Sequence, residues 1–147
     1  MEKLNIDLGI KSYQFVEGGA PLIFNPSDPN VYSRFMEATD KLRVIEDSLV
    51  SKAKSADGSG EAILQLLKEA DVESKKVLGW VFGEHNDFDK ILNGANLLAV
   101  GTNGERILTN FLQALMPVIK TGAEECAKIQ TEAAKAQARA ERAQRQA

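Results

Sequence analysis

The sequence predicts an α+β fold that is mostly α: a short N-terminal antiparallel β-hairpin or small sheet packed on a helical bundle, followed by a long C-terminal helix. Three observations predict it. Apolar and polar residues alternate near the N-terminus, the pattern of half-buried strands. From position 31 onward the apolar spacing switches to steps of three and four, the pattern of amphipathic helices. The last of these stripes keeps its spacing without a slip through positions 108–147. The chain has 147 residues, the size of one ordinary domain. Leu, Ile, Val and Phe together number 39, a share above that of disordered chains and enough for a core.

The strand pattern occupies the first 25 positions. Leu4, Ile6, Leu8 and Ile10 alternate with Asn5, Asp7 and Gly9, Tyr13 and Phe15 follow, and Leu22, Ile23 and Phe24 come after the Gly18-Gly19 break. Two or three short antiparallel strands are expected, with a helix covering their apolar face because so small a sheet is marginal alone. Asn25-Pro26-Ser27-Asp28-Pro29 is a turn signal in which Ser27 or Asp28 can cap a helix that Pro29 starts. Val31, Phe35, Ala38, Leu42, Ile45 and Leu49 then form a single stripe of about 20 helical residues. Positions 51–60, SKAKSADGSG, have no large apolar residue and read as a linker or loop.

A second helix is expected over 61–82, with Ile63, Leu66, Leu67, Ala70, Val77, Leu78, Val81 and Phe82 inward and Gly83 at its end. A short helical piece is placed at 87–92, between turns, and Leu97, Leu98 and Val100 are expected to be buried. The final stripe runs Leu108, Leu112, Leu115, Ile119, Gly122, Cys126, Ile129, Ala133, Ala136, Ala140, Ala143 and Ala147. Pro117 lies off it and removes one backbone hydrogen bond, which predicts a kink in the preceding turn.

That stripe changes character midway. Large side chains up to Ile119 can anchor in a core, whereas alanines bury too little area to dock tightly. Charge divides near the same place. Positions 128–147 carry five basic and two acidic residues, a net +3, against 13 basic and 19 acidic residues, a net −6, in positions 1–127. The expected organisation is a compact α+β domain over 1–127 with an alanine-rich, basic helical extension over 128–147. Its residues form helix readily, and Glu141 with Arg145 is a favourable i,i+4 pair. A small-residue seam admits a bulky helix closely. Ile129, Ala133, Ala136, Arg139, Ala140, Arg142, Ala143 and Arg145 are therefore the expected partner-binding residues.

Catalytic chemistry finds little to stand on. His85, the only histidine, lies in Gly83-Glu84-His85-Asn86-Asp87, where its ordinary role is a solvated or capping residue rather than a general base. Asp87 and Asp89 imitate the start of a calcium loop, but Ile91 and Leu92 occupy a ligand and the required glycine position. Gly101-Thr102-Asn103-Gly104 could form an anion-binding turn, yet the sequence lacks a phosphate-loop or dinucleotide motif. A single cysteine, Cys126, excludes an intramolecular disulfide framework and fits a reducing compartment; its expected role is packing, as is that of Trp80. The expectations are thus no enzyme, no cofactor and no metal. No apolar run reaches the roughly 18 residues of a membrane span, and no signal pattern opens the sequence. Nucleic-acid binding through the basic helix is disfavoured because that helix has no aromatic residue to stack bases.

The chain resembles a family of small tail-region proteins of Firmicutes siphophages and prophages. The resemblance rests on the β-rich start running into Phe24-Asn25-Pro26-Ser27-Asp28, on Val31-Tyr32-Ser33-Arg34-Phe35, Val81-Phe82-Gly83 and Gly94-Ala95-Asn96, and on Asn110-Phe111-Leu112 leading to Pro117. It covers most of positions 1–120 in outline, and the motifs are structural. Asn93-Gly94 departs from it, standing where the family has Phe-Gly. The resemblance implies a tail-assembly chaperone that binds the helical tape-measure protein, or a tail-tube protein, in the bacterial host cytoplasm. The alternatives are a virion connector or tail-completion subunit that forms a homo-oligomeric ring, and a nucleic-acid-binding accessory protein.

Overall fold

A computed structural model describes residues 1–56 and 59–146; Asp57 and Gly58 of the expected linker and Ala147, the last stripe position, lie outside the described residues. Two strands, β1 (Lys11–Tyr13) and β2 (Leu22–Phe24), are followed by four helices: α1 (Pro29–Ser55), α2 (Gly60–Phe82), α3 (Phe88–Ile91) and α4 (Ile107–Gln146). The fold is mostly α with a small antiparallel hairpin and a long C-terminal helix, as the sequence predicts.

The hairpin pairs Lys11 with Phe24, Ser12 with Ile23 and Tyr13 with Leu22. The strand pattern before it does not form a strand: residues 1–10 are irregular, and Leu4, Ile6, Leu8 and Ile10 are exposed. Alternation makes a segment suited to a sheet, but a strand needs a neighbour, and β1 and β2 form the whole two-stranded sheet among the described residues.

Asp28, not Ser27, caps α1, accepting the Asn30 N–H at 2.9 Å, and Pro29 fits the first turn, where its missing N–H has no helical partner to lose. Val31, Phe35, Ala38, Leu42 and Leu49 are buried, and Ile45 is half-buried. The expected linker is shorter than its composition suggests. Helix α1 continues through Ser55, because Lys52, Ala53 and Lys54 are tolerant of helix and nothing before Ala56 breaks it. Ser59 then caps α2 through the Ala62 N–H, and Gly83 ends it at φ 103°, a backbone conformation that favours glycine. The two helices run antiparallel: Arg34, near the start of α1, donates from Nε to the Val81 carbonyl, near the end of α2, at 3.0 Å.

Aromatic rings join the layers. Tyr13 stacks near Phe24, Phe24 meets Phe82 edge-on at 4.9 Å, Phe82 adjoins Phe35 and Phe88, Phe88 meets Phe111 at 6.0 Å, and Phe111 contacts Phe15 at 4.7 Å. All six phenylalanines thus belong to one connected set that ties hairpin, helices and the loop after β1 together. Two sequence expectations fail here. Val100 is 64% exposed because it pairs in an isolated bridge with Arg106 at the surface. Trp80 lies at the surface of α2, with the Lys41 ammonium 3.8 Å from its ring centroid, a cation–π contact that leaves the indole partly in water.

Helix α4 runs unbroken through Pro117, which sits on its exposed side. The residues of that helix on the core side are Leu108, Phe111, Leu115, Ile119 and Gly122.

Candidate functional site

The turn that leads into α4 sets its direction. Arg106 Nη1 donates to the Leu98 carbonyl at 2.8 Å, and the first helical amides, Ile107 and Leu108, donate to Ala99 and Leu97 carbonyls, each at 2.8 Å. The chain itself thus takes up the first two amides that an anion at this helix start would use, and Gly101-Thr102-Asn103-Gly104 acts as a helix-entry turn. Leu97 and Leu98 are buried beneath it. Their loop is fastened to α2 in turn: Asp71 Oδ1 accepts the Leu97 N–H at 2.8 Å, and Asn96 donates to the Leu67 carbonyl at 3.2 Å.

At Gly122 the helix passes the turn after β2 at close range. A Cβ there would overlap the Pro26 carbonyl oxygen, so only glycine permits this approach. Gly122 is the last buried residue among those described, Cys126 is half-buried, and from Ala127 to Gln146 every residue is exposed except Ala138, which is half-buried. Those 20 residues extend about 30 Å at 1.5 Å per residue. The seam is therefore divided by its own surroundings. Gly122 meets this chain, whereas Ile129, 64% exposed, and Ala133, Ala136, Ala140 and Ala143 face solvent along one side. Arg139, Arg142 and Arg145 are exposed as well. The polar contacts along this stretch are local: Thr131 Oγ1 to the Ala127 carbonyl, Gln137 to Glu141, and Arg145 with Glu141 at 3.9 Å. Such exposed pairs contribute little to stability and leave the surface available.

The other candidates are used internally. Asp87 caps α3, its Oδ1 accepting the Asp89 and Lys90 N–H groups. His85 is exposed, with Nε2 3.3 Å from the Asn86 side-chain nitrogen. Among the described residues no cluster of three or more His, Cys, Asp or Glu side chains is arranged to hold a metal ion. No described helix is long and apolar enough to cross a membrane.

Two residue groups escaped the sequence reading. Asn86 is buried, and its amide accepts the Ile23 N–H and donates to the Ile23 and Phe82 carbonyls, each at 2.9 Å. It does for β2 what a third strand would do. Lys75 lies at the edge of an open cleft of about 360 Å3 and reaches Asp71 at 2.8 Å, Asp89 at 2.6 Å and the Ala95 carbonyl at 3.0 Å. Burial alone would lower its pKa, but the hydrogen bonds and charges of Asp71 and Asp89 outweigh it and the net shift is upward. The i,i+4 spacing of Asp71 and Lys75 was the available signal; that Asp89 and the 95–98 loop converge on it depends on tertiary folding.

Compared with known proteins, the chain matches no family model, no curated protein and no solved structure.

Proposed function

We propose that this protein is a non-enzymatic tail-morphogenesis chaperone that binds the helical tape-measure protein through the seam of α4. The observation that carries the reading is the exposed face formed by Ile129, Ala133, Ala136, Ala140 and Ala143 on a helix anchored at its other end in the core. The resemblance to phage tail-region proteins supplies the partner. A helical client brings large apolar side chains, the alanine seam lets its backbone approach, and Ile129 adds one large contact of its own. The flanking Arg139, Arg142 and Arg145 favour acidic positions on the client. Covering the client's apolar stripe would keep it from aggregating before assembly.

The test is co-expression with the tape-measure protein of the same phage or prophage. The wild type is expected to hold long tape-measure segments in the soluble fraction and to co-purify with them. The Ala136→Glu/Ala140→Glu variant keeps a strong helix former at both positions, and should fold but lose both effects. Protection by that variant equal to wild type contradicts the reading. Recovery of the protein in purified virions favours the connector or tail-completion alternative.

A further inference from the structure

We propose that residues 3–8 of one copy add as an extra strand to the open edge of β1 in a second copy. The two outer edges of the hairpin are not equivalent. The outward backbone groups of β2 are taken, since Asn86 binds both the N–H and the C=O of Ile23. Because those groups point away from β1, Ser12 and Ile23 form a non-hydrogen-bonded pair, and the N–H and C=O of Ser12 point to the opposite, outer side of β1. No strand pairs there among the described residues. An unpaired edge of this kind is a template for another extended segment.

The same chain carries such a segment. Leu4, Ile6 and Leu8 alternate with Asn5 and Asp7, and all three apolar side chains are at least 60% exposed. The arm does not turn back onto its own β1. Gly9, at φ +70°, donates to Asp7 Oδ1 at 2.8 Å and lies against the Asn25 side chain, so the arm leaves from the end of the hairpin. Six extended residues span about 20 Å, ample for the three-residue edge of β1. The face of β1 that carries Lys11 and Tyr13 also lines an open groove of about 340 Å3, shared with Pro117, Val118, Gly122 and Glu125. The groove offers apolar surface to alternate arm side chains and one charge of each sign. The arm matches it with Lys3 and Asp7. Each copy therefore holds both the strand and its acceptor, which is why a second copy is the occupant. The inference stands apart from the proposed role of α4.

Sedimentation velocity of the full chain across a concentration series tests it, together with amide hydrogen exchange at the two ends of that series. The wild type is expected to associate as concentration rises, with exchange slowing at residues 3–8 and at Ser12. The Ile6→Asp/Leu8→Asp variant alters only exposed side chains, and should keep the wild-type circular dichroism while remaining monomeric. A wild type that stays monomeric throughout overturns the proposal, whatever else the arm binds. So does association that persists in the arm variant, or that disappears only in Ala136→Glu/Ala140→Glu.

Discussion

Three positions show how single residues set the terms of this fold. Gly122 brings α4 against the Pro26 carbonyl. Gly122→Ala forces backbone apart from backbone, and is expected to destabilise the protein by about 3 kcal/mol, lowering Tm on the order of 10 °C. Ser74 is fully buried and its hydroxyl has no hydrogen-bond partner among the described residues. Ser74→Ala removes an unsatisfied group without opening a sizeable void, so urea unfolding should show no loss and a gain of up to about 1 kcal/mol. Lys75 is the opposite case, a nearly buried cation with carboxylates on two elements. Lys75→Met leaves Asp71 without its counter-charge and is expected to lower stability by about 3 kcal/mol at neutral pH. The sign of the pH dependence follows from the upward shift. The folded pKa lies above the ordinary 10.5, so the contribution is intact below 10.5 and is lost as pH rises through the folded value. The stability difference between wild type and Lys75→Met should therefore shrink at strongly alkaline pH, and a constant difference would be inconsistent with this role.

At the scale of elements, periodicity located α1, α2 and α4, because a stripe such as Val31, Phe35, Ala38, Leu42 and Leu49 is a property of local spacing, while the short α3 was placed by the turn signals around it. What the sequence did not disclose were features decided by distant neighbours. Leu4, Ile6, Leu8 and Ile10 have the alternation of a strand but no strand partner among the described residues. Asn86 reads as one polar residue in a polar loop, yet it closes the outer edge of β2 across 63 positions of sequence. Asn86→Ala strands the Ile23 N–H and C=O, and is expected to cost about 2 kcal/mol, read most directly as faster amide exchange at Ile23. The α4 seam was legible as a stripe. Its division at Gly122 was visible only as a change from large to small residues, and the turn that fills the first small position was not.

At the scale of the whole molecule, the buried residues among those described all lie between Gly19 and Gly122, and the N-terminal arm and the last five turns of α4 lie outside that span. Stability is accordingly uneven. Residues 127–146 have helical hydrogen bonds exposed to water and no core behind them, so their amides should exchange far faster than those of Leu78, Leu108 or Leu115. The same unevenness gives the molecule its proposed use, since a helix built to form cheaply but left uncovered can be ordered by a partner. The most direct measurement is amide hydrogen exchange of the full chain with and without a soluble helical segment of the tape-measure protein. Binding through the seam predicts rapid exchange of residues 127–146 in the free protein and marked slowing on addition of the segment, strongest from Ile129 to Ala143. Unchanged exchange along this stretch, or protection confined to the core helices, would contradict it.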